Sequence, residues 1–571
     1  MKKFKCYFIL ILVAAIMSSC SGLNKMKKNS GLIKYEVTPK VLEAHAGQVA
    51  VTIKGTFPAK YFDKKTTVTA TPVLVYDGGE TAFDKVQVVQ GESVSANNKV
   101  ISYNGGDFTY NGVIPFKDAM RVSQLMLRIK AVRGTKNLDF DPVKLADGVI
   151  ATSTLVEKTG KPILMPDKYV RVLPETQYAD INYVINQSDI KGSELKAEDI
   201  AQLKDYIKNT TSAANKQMKG VTVSSYASPD GTMKINEPLS KNRGKSADKF
   251  IKKEFAKVEV AKNADFFDEL TTPEDWEGFK TEVEKSNIKD KDLILRVLSM
   301  YSDPDVREKE IKNMSSAYDE LKTQILPKLR RSKIVVNTDV VGRSDEEILA
   351  QMRSDAKVLS VEEMLRAAVL TQDLNEQLKF YQVTAQNNPK DVRPQNNIGY
   401  VLLLQGKADE AAAALEKARA IENNDIVKNN LGMASLAKGD IAKAEEYFNS
   451  MTAATPESKW GLGTIAITKG KYDEAVNFFG AAPDFNLALA LVLKGDVTRA
   501  KTTLDNVKDA GKTGKPAYLR AVVGARQDDR NYMLSNLREA TAAKADWKAY
   551  AKTDLEFGKW FNDDTFKSAV Q

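Results

Sequence analysis

The spacing of apolar positions changes along this chain, and each spacing predicts a different kind of element. Residues 7–17 are a continuous apolar run behind Lys2, Lys3 and Lys5. That run is shorter than the ~20 helical residues that cross a bilayer. Residues 20–34 are polar and read as a tether. From about 35 to 160 the apolar period is two: Val49, Val51 and Ile53 alternate with other residues, as do Leu125, Leu127, Ile129 and Ala131 around Arg128 and Lys130. This is the pattern of strands buried on one face. Asp77-Gly78-Gly79 and Asn104-Gly105-Gly106 supply turns between such runs.

Between about 170 and 345 the two periods alternate. Ile181–Ile185 predicts a strand, and Lys196–Asn209 a helix with Ile200, Leu203 and Ile207 on one face. Val221–Tyr226 predicts a second strand, followed by a helix presenting Ala247, Phe250, Ile251 and Phe255. Residues 262–328 carry Trp276, Phe279, Val283, Leu293–Tyr301 and Tyr318–Leu326 at helical spacing and read as a helical insertion.

The last zone, about 355–571, repeats. Gln405-Gly406-Lys407-Ala408-Asp409-Glu410-Ala411 returns at Gly439, Gly470 and Gly495, at intervals of 33, 31 and 25 residues. A further glycine stands seven residues before three of these, at Gly399, Gly432 and Gly463. Ala411, Ala444 and Ala475 are each followed at plus four by a large apolar residue, Leu415, Phe448 and Phe479. This resembles the tetratricopeptide repeat, a ~34-residue helix–turn–helix in which small residues allow close helix contact. Residues 360–390 and 515–571 then read as degenerate or capping units.

At 571 residues the chain is too long for one core, and its 43 % hydrophobic and 28 % charged content is that of folded domains. A single histidine, His45, and two cysteines, Cys6 and Cys20, leave no histidine-based triad and no common zinc site. His45 reads as a strand or surface residue. The basic start, the apolar run and Ser18-Ser19-Cys20 resemble the lipobox of bacterial lipoproteins. That resemblance implies a signal peptide over 1–19, acylation of Cys20 and, with Ser21 next, residence in the outer membrane. Loss of 1–19 removes three lysines and no acid, so the formal charge goes from +9 to +6. Lys25, Lys27 and Lys28 would follow the anchor, placed to rest on anionic headgroups. Elsewhere charges of both signs are interspersed, with no basic stripe among aromatics, so nucleic acid is not an expected partner.

Around Val221–Tyr226 a second resemblance appears. Gly231, Asn236, Leu239, Ser240 and Arg243 fall in register with the OmpA-like domain, in the order strand, loop, helix. Pro327–Val336, with Arg330 and Arg331, is similar to that family's final strand. The resemblance implies peptidoglycan binding, with an arginine and an aspartate clamping the diaminopimelate carboxylate and amine. Arg243 matches the arginine, with the geometry for a bidentate bond to a carboxylate. Ser228 stands at the aspartate position, with Asp230 two residues on as a substitute and Asn236 beside the loop. Arg243 serves equally well in a second reading, pinning the loop to the helix.

Two fragments, Gly511-Lys512-Thr513 and Gly244-Lys245-Ser246, mimic the end of a phosphate-binding loop, but Asn506 and Leu239 stand where the leading glycine belongs. Ser246-x-x-Lys249 and Lys512-Thr513-Gly514 mimic penicillin-recognising enzymes, but they lie in different zones and no Ser-Asp-Asn accompanies them. No catalytic group, metal site or cofactor is expected.

The expected architecture is therefore multidomain: a β-sandwich of immunoglobulin-like architecture at 35–160, an α+β OmpA-like domain at 170–345 with its insertion at 262–328, and an all-α solenoid of tetratricopeptide repeats at 355–571. Outer-membrane lipoproteins of Bacteroidota-type bacteria are similar in this combination. The implied function is a non-catalytic envelope scaffold facing the periplasm, with weak peptidoglycan binding; the alternative is a component or assembly factor of a surface fimbria or secretion machine. Protein partners would meet the inner groove of the repeats through Tyr400, Leu403, Met433, Leu436, Trp460 and Ile467, an apolar and aromatic set suited to an amphipathic segment. The competing reading packs these side chains against the protein's own insertion helices.

Overall fold

The computed structural model describes residues 22–509 and 512–571. The signal segment, Cys6 and Cys20 lie outside the described residues. Among those described, no helix is long and apolar enough to cross a membrane. The chain divides into two compact units. One joins the chain up to Pro166 with Thr371–Gln571; the other is Asp167–Leu370. The β-rich region and the repeats, separate zones in the sequence, thus share a unit.

That unit opens with a helix, α1 (22–28), where the sequence predicts a tether. Leu23 and Met26 are 3 % and 2 % exposed within the β-rich core, and the Tyr61 hydroxyl donates to the Met26 carbonyl at 2.9 Å. Lys27, expected to face lipid, donates to the Asp139 carbonyl at 2.9 Å and pairs with Asp141 at 3.2 Å. Eleven strands follow: β1 (Lys34–Thr38), β2 (Val41–His45), β3 (Gln48–Phe57), β4 (Thr67–Tyr76), β5 (Gly79–Ala82), β6 (Gln87–Gly91), β7 (Lys99–Ile101), β8 (Gly106–Pro115), β9 (Ser123–Arg133), β10 (Lys136–Asp139) and β11 (Val143–Ile150). β3 pairs with β1 and β8, and β9 lies between β4 and β11. β2 joins the two sets, antiparallel to β3 through Ala44 and His45 and parallel to β11 through Val41–Glu43. Val49, Val51 and Ile53 of β3 and Leu125, Leu127, Ile129 and Ala131 of β9 all point into one apolar core. Their alternation in the sequence follows from that one-sided burial.

The second unit holds β12 (Val172–Asn182), α2 (Glu198–Ser212), β13 (Lys216–Tyr226), α3 (Met233–Glu254), β14 (Phe267–Thr272), the helices α4 (Trp276–Lys285), α5 (Lys291–Met300), α6 (Pro304–Asn313), α7 (Ser315–Glu320) and α8 (Leu326–Leu329), then β15 (Arg331–Val341), α9 (Asp345–Ser354) and α10 (Val361–Leu370). The sheet order is β12-β15-β13-β14, with β13 and β14 parallel and the other pairs antiparallel. Two expectations need correction. The first strand lies nine residues ahead of Ile181–Ile185, starting at Val172. As an edge strand it buries only Ala179 and Ile181, so its first half carries no alternating signal. The insertion is not wholly helical, because β14 occupies its start as the other sheet edge and leaves Leu270 half exposed. The helices after it form their own core around Phe279, Val283, Ile294, Leu298, Leu321 and Ile325.

The array begins with α11 (Leu374–Asn387). Five helix pairs follow: α12 (Val392–Leu404) with α13 (Ala408–Ile421), α14 (Asp425–Lys438) with α15 (Ile441–Asn449), α16 (Pro456–Thr468) with α17 (Tyr472–Phe479), α18 (Phe485–Lys494) with α19 (Val497–Asp505), and α20 (Lys515–Arg526) with α21 (Arg530–Ala543). α22 (Asp546–Ala551) and α23 (Asp564–Val570) close the end over Phe557 and Phe566. Gly399, Gly432 and Gly463 lie against Leu415, Phe448 and Phe479, where a Cβ would collide with the larger side chain. The turn glycines Gly406, Gly439, Gly470 and Gly495 have φ of 74°, 82°, 72° and 93°, left-handed conformations that glycine adopts without strain.

Candidate functional site

The inner helices of the repeats carry paired asparagines. Asn396 and Asn397 stand on α12, Asn429 and Asn430 on α14, and Asn486 on α18, all essentially without exposure. The segment between the β-rich region and the second unit, residues 157–165, runs extended across them. Asn397 accepts from the Met165 amide at 2.9 Å and donates to the Met165 carbonyl at 2.8 Å. Asn430 does the same for Ile163 at 2.7 and 2.8 Å, and Asn486 for Glu157 at 2.9 and 2.8 Å. Asn396 adds a bond to the Ile163 carbonyl at 3.1 Å and Asn429 one to the Lys161 carbonyl at 3.4 Å. A carboxamide has both donor and acceptor, so it matches the N–H and C=O of one extended residue. The asparagines also bond to one another: Asn430 to Asn396 at 2.9 Å, and Asn429 to Asn430 and Asn396 to Asn397 at 3.1 Å each. Each bond to the segment is worth ~0.5–1.5 kcal/mol net, while leaving such a buried amide unpaired costs ~1–3 kcal/mol.

Side chains complete the seat. Lys161 pairs with Asp484 at 2.9 Å and lies 5.5 Å over the Trp460 ring. Trp460 Nε1 donates to both Asp484 carboxylate oxygens at 3.1 Å. Gly160 faces Met433 and Trp460, so closely that a Cβ there would press into the Met433 sulfur and stand 3.1 Å from the Trp460 ring. Met165 is buried among Val392, Leu431 and Ala434.

The groove residues read from the sequence are therefore placed differently from the expectation. Met433, Leu436, Trp460 and Ile467 are 0 %, 0 %, 5 % and 1 % exposed, and Tyr400 and Leu403 are half-buried. Packing between repeats buries these side chains, and the chain's own segment 157–165 lies against Met433 and Trp460. The position after each helical glycine, held by Tyr400, Met433 and Thr464, does not carry the asparagines. The signal lies two residues before it: Asn397 precedes Gly399, Asn430 precedes Gly432, and Asn486 precedes Ala488 in the same way.

The loop after β13 is also internally satisfied. Arg243 has no exposed surface; Nη1 donates to the Tyr226 carbonyl at 2.9 Å, Nε to Gln187 at 3.0 Å and Nη2 to Val184 at 3.2 Å. Burial brings its pKa down to about 10. Asp230 pairs with Arg330 at 3.1 Å, Arg330 donates to the Ser228 hydroxyl at 3.1 Å, and Ser228 donates to Asp230. Asn236 donates to the carbonyls of Gly231 at 2.7 Å and Ser228 at 3.1 Å. Of the two readings of Arg243, pinning is the one this geometry meets; with no exposed surface, the guanidinium is out of reach of a ligand carboxylate. His45 is exposed on β2 with its ring edge-on to Tyr472 at 5.0 Å. Among the described residues no group of three or more His, Cys, Asp or Glu side chains is placed to hold a metal.

Residues 429–485 match the tetratricopeptide repeat family, which makes the C-terminal helical region a tetratricopeptide repeat array, a type of domain associated with protein–protein contact. None of the curated proteins matches the chain. Among solved structures, a tetratricopeptide repeat protein from Parabacteroides merdae is 16 % identical, over 43 % of this chain and 98 % of that one, with a TM-score of 0.31. YrrB, a repeat protein with an unusual peptide-binding site, is 16 % identical over 37 % of this chain and 99 % of its own, at 0.20. PilW, a type IV pilus biogenesis factor, is 15 % identical over 40 % and 89 %, at 0.23. At these scores none of the three bears on function.

Proposed function

We propose that this chain is a non-catalytic scaffold of the bacterial envelope, held at the outer membrane by acylated Cys20, whose repeat array docks partner proteins. The observation that carries the docking role is the seat of residues 157–165: the inner face of the array is equipped with carboxamides that hold an extended main chain. The anchor rests on the lipobox-like run ending at Cys20. Peptidoglycan has no part in this reading, since Arg243 and Asp230 already have partners within the protein.

Two measurements test it. Cys20→Ala should release the protein from the membrane fraction after a high-salt wash; retention of the variant would refute the anchor. Photo-crosslinkers placed in cells at the exposed Leu404 and Phe478 of the array, with Val113 of β8 as control, should capture defined proteins from the array alone. Capture only from Val113 would move docking to the β-rich region.

A further inference from the structure

The segment 157–165 fits its seat incompletely. The third repeat carries Gly461 at the position where its neighbours carry Asn397, Asn430 and Asn486. Among the described residues, no side chain bonds to the main chain of 158–160. Asn429 Oδ1 is buried without a donor, and the Asn429 bond to Lys161 is the longest of the set at 3.4 Å. Thr159 and Lys161 remain exposed, and the residues between and beside them are only half-buried. A bound strand that satisfied Asn429 would therefore hold better than the one in place.

The asparagines grip main chain, so their hold does not depend on which side chains pass over them. Selectivity comes from the places where side chains matter. With Met433 and Trp460 as they stand, only a residue without Cβ fits beneath them, a cation beside it meets Asp484, and an apolar residue fills the position of Met165. We propose that residues 157–165 are a self-occluding ligand. The inner face of the array is a receptor for an extended partner segment of the pattern Gly-Lys-x-x-x-apolar, and the chain's own strap holds it closed until such a segment takes its place. This rests on the reading of the array as a docking region and names the chemistry of what docks. Replacing a tethered strap demands either better contacts, which Asn429 offers, or a high local concentration of the incoming segment.

The test opens the strap without altering the receptor. Gly160→Leu in the full-length protein puts a side chain where Met433 and Trp460 leave no room. The probe is a fluorescent synthetic peptide with the sequence of residues 157–166. The peptide should bind Gly160→Leu at least tenfold more tightly than the wild type, and adding Asn430→Ala should remove that gain. Hydrogen exchange at 157–165 should rise in the same variant while the helical circular dichroism stays unchanged. If Gly160→Leu does not fold, Gly160→Ala takes its place with the same readouts. A folded variant in which peptide binding does not rise overturns the proposal, as does a gain that survives Asn430→Ala. Absence of captured partners in cells, with peptide binding intact, would count against the scaffold reading alone.

Discussion

Arg243 buries a full positive charge, and three main-chain carbonyls receive it in place of water. The OmpA-like resemblance of the sequence leaves ligand binding and local pinning equally open for this residue, because the same residue type serves both roles; only the positions of Val184, Gln187 and Tyr226 separate them. Asp554 is a second buried charge with a measurable consequence. The Tyr518 hydroxyl donates to it at 2.6 Å, and burial brings its pKa up to about 6. A carboxyl whose folded pKa is raised binds its proton more tightly in the folded state. Its contribution is therefore present below the ordinary carboxylate range near 4 and is lost as pH rises through about 6. A shift of this size corresponds to ~3 kcal/mol. Asp554→Asn keeps an acceptor for Tyr518 and removes the titration. Between pH 4 and 7 the melting temperature of the wild type should fall relative to that of Asp554→Asn; parallel curves would place the pKa elsewhere.

Turns, at the scale of elements, explain which repeats were readable. In each of five pairs the residue after the turn donates back to a carbonyl five residues earlier: Lys407 to Leu402, Asp440 to Ser435, Lys471 to Ala466, Asp496 to Leu491 and Asp529 to Gly524, all at 2.8–2.9 Å. Four of these turns use glycine, and the repetition of Gly-x-x-x-x-Ala exposed them in the sequence. The fifth uses Asp528 at φ 60°, so α20 and α21 read as a degenerate cap although they pack as a full pair. A non-glycine residue in this conformation carries strain of ~1 kcal/mol or slightly more. Asp528→Gly should relieve it and raise the urea midpoint of the array by an amount worth about 0.5–1 kcal/mol. The gain is net of the exposed pair with Lys559, a class of contact worth ~0–1 kcal/mol. An unchanged or lower midpoint would show that Asp528 is not strained. The strands were legible where one face is buried, as in β3 and β9, and were missed at the edges, where β12 and β14 lack the alternation that burial imposes.

No local pattern in the sequence announced that the β-rich region and the array share one unit, because the groups that join them are hundreds of residues apart. Arg526 is the centre of one such joint. It pairs with Glu556 at 2.5 Å and donates to the Val492 carbonyl at 2.8 Å. The Thr152 hydroxyl, reaching from the end of the β-rich region, donates to the same Glu556 carboxylate at 2.6 Å. Arg121 adds a bond to Thr154 at 2.8 Å and stacks 4.4 Å over Tyr550. The Glu556 side chain is only 4 % exposed and that of Arg526 24 %, so removing Glu556 leaves a half-buried guanidinium without this counter-charge and Thr152 without an acceptor. Breaking a fully buried pair costs ~3–5 kcal/mol, and solvent at the half-buried guanidinium brings the loss here to about 2–3 kcal/mol. Glu556→Ala should therefore lower the melting of the strands and of the repeat helices together, while the transition belonging to Asp167–Leu370 stays where it is. Scanning calorimetry of the full chain resolves the two, with intrinsic fluorescence in a Trp276→Phe background reporting the array through Trp460, Trp547 and Trp560. Equal shifts in both transitions would mean that the two units unfold as one. A shift confined to the helices would mean that Thr152 and Arg121 do not couple the strands to the array.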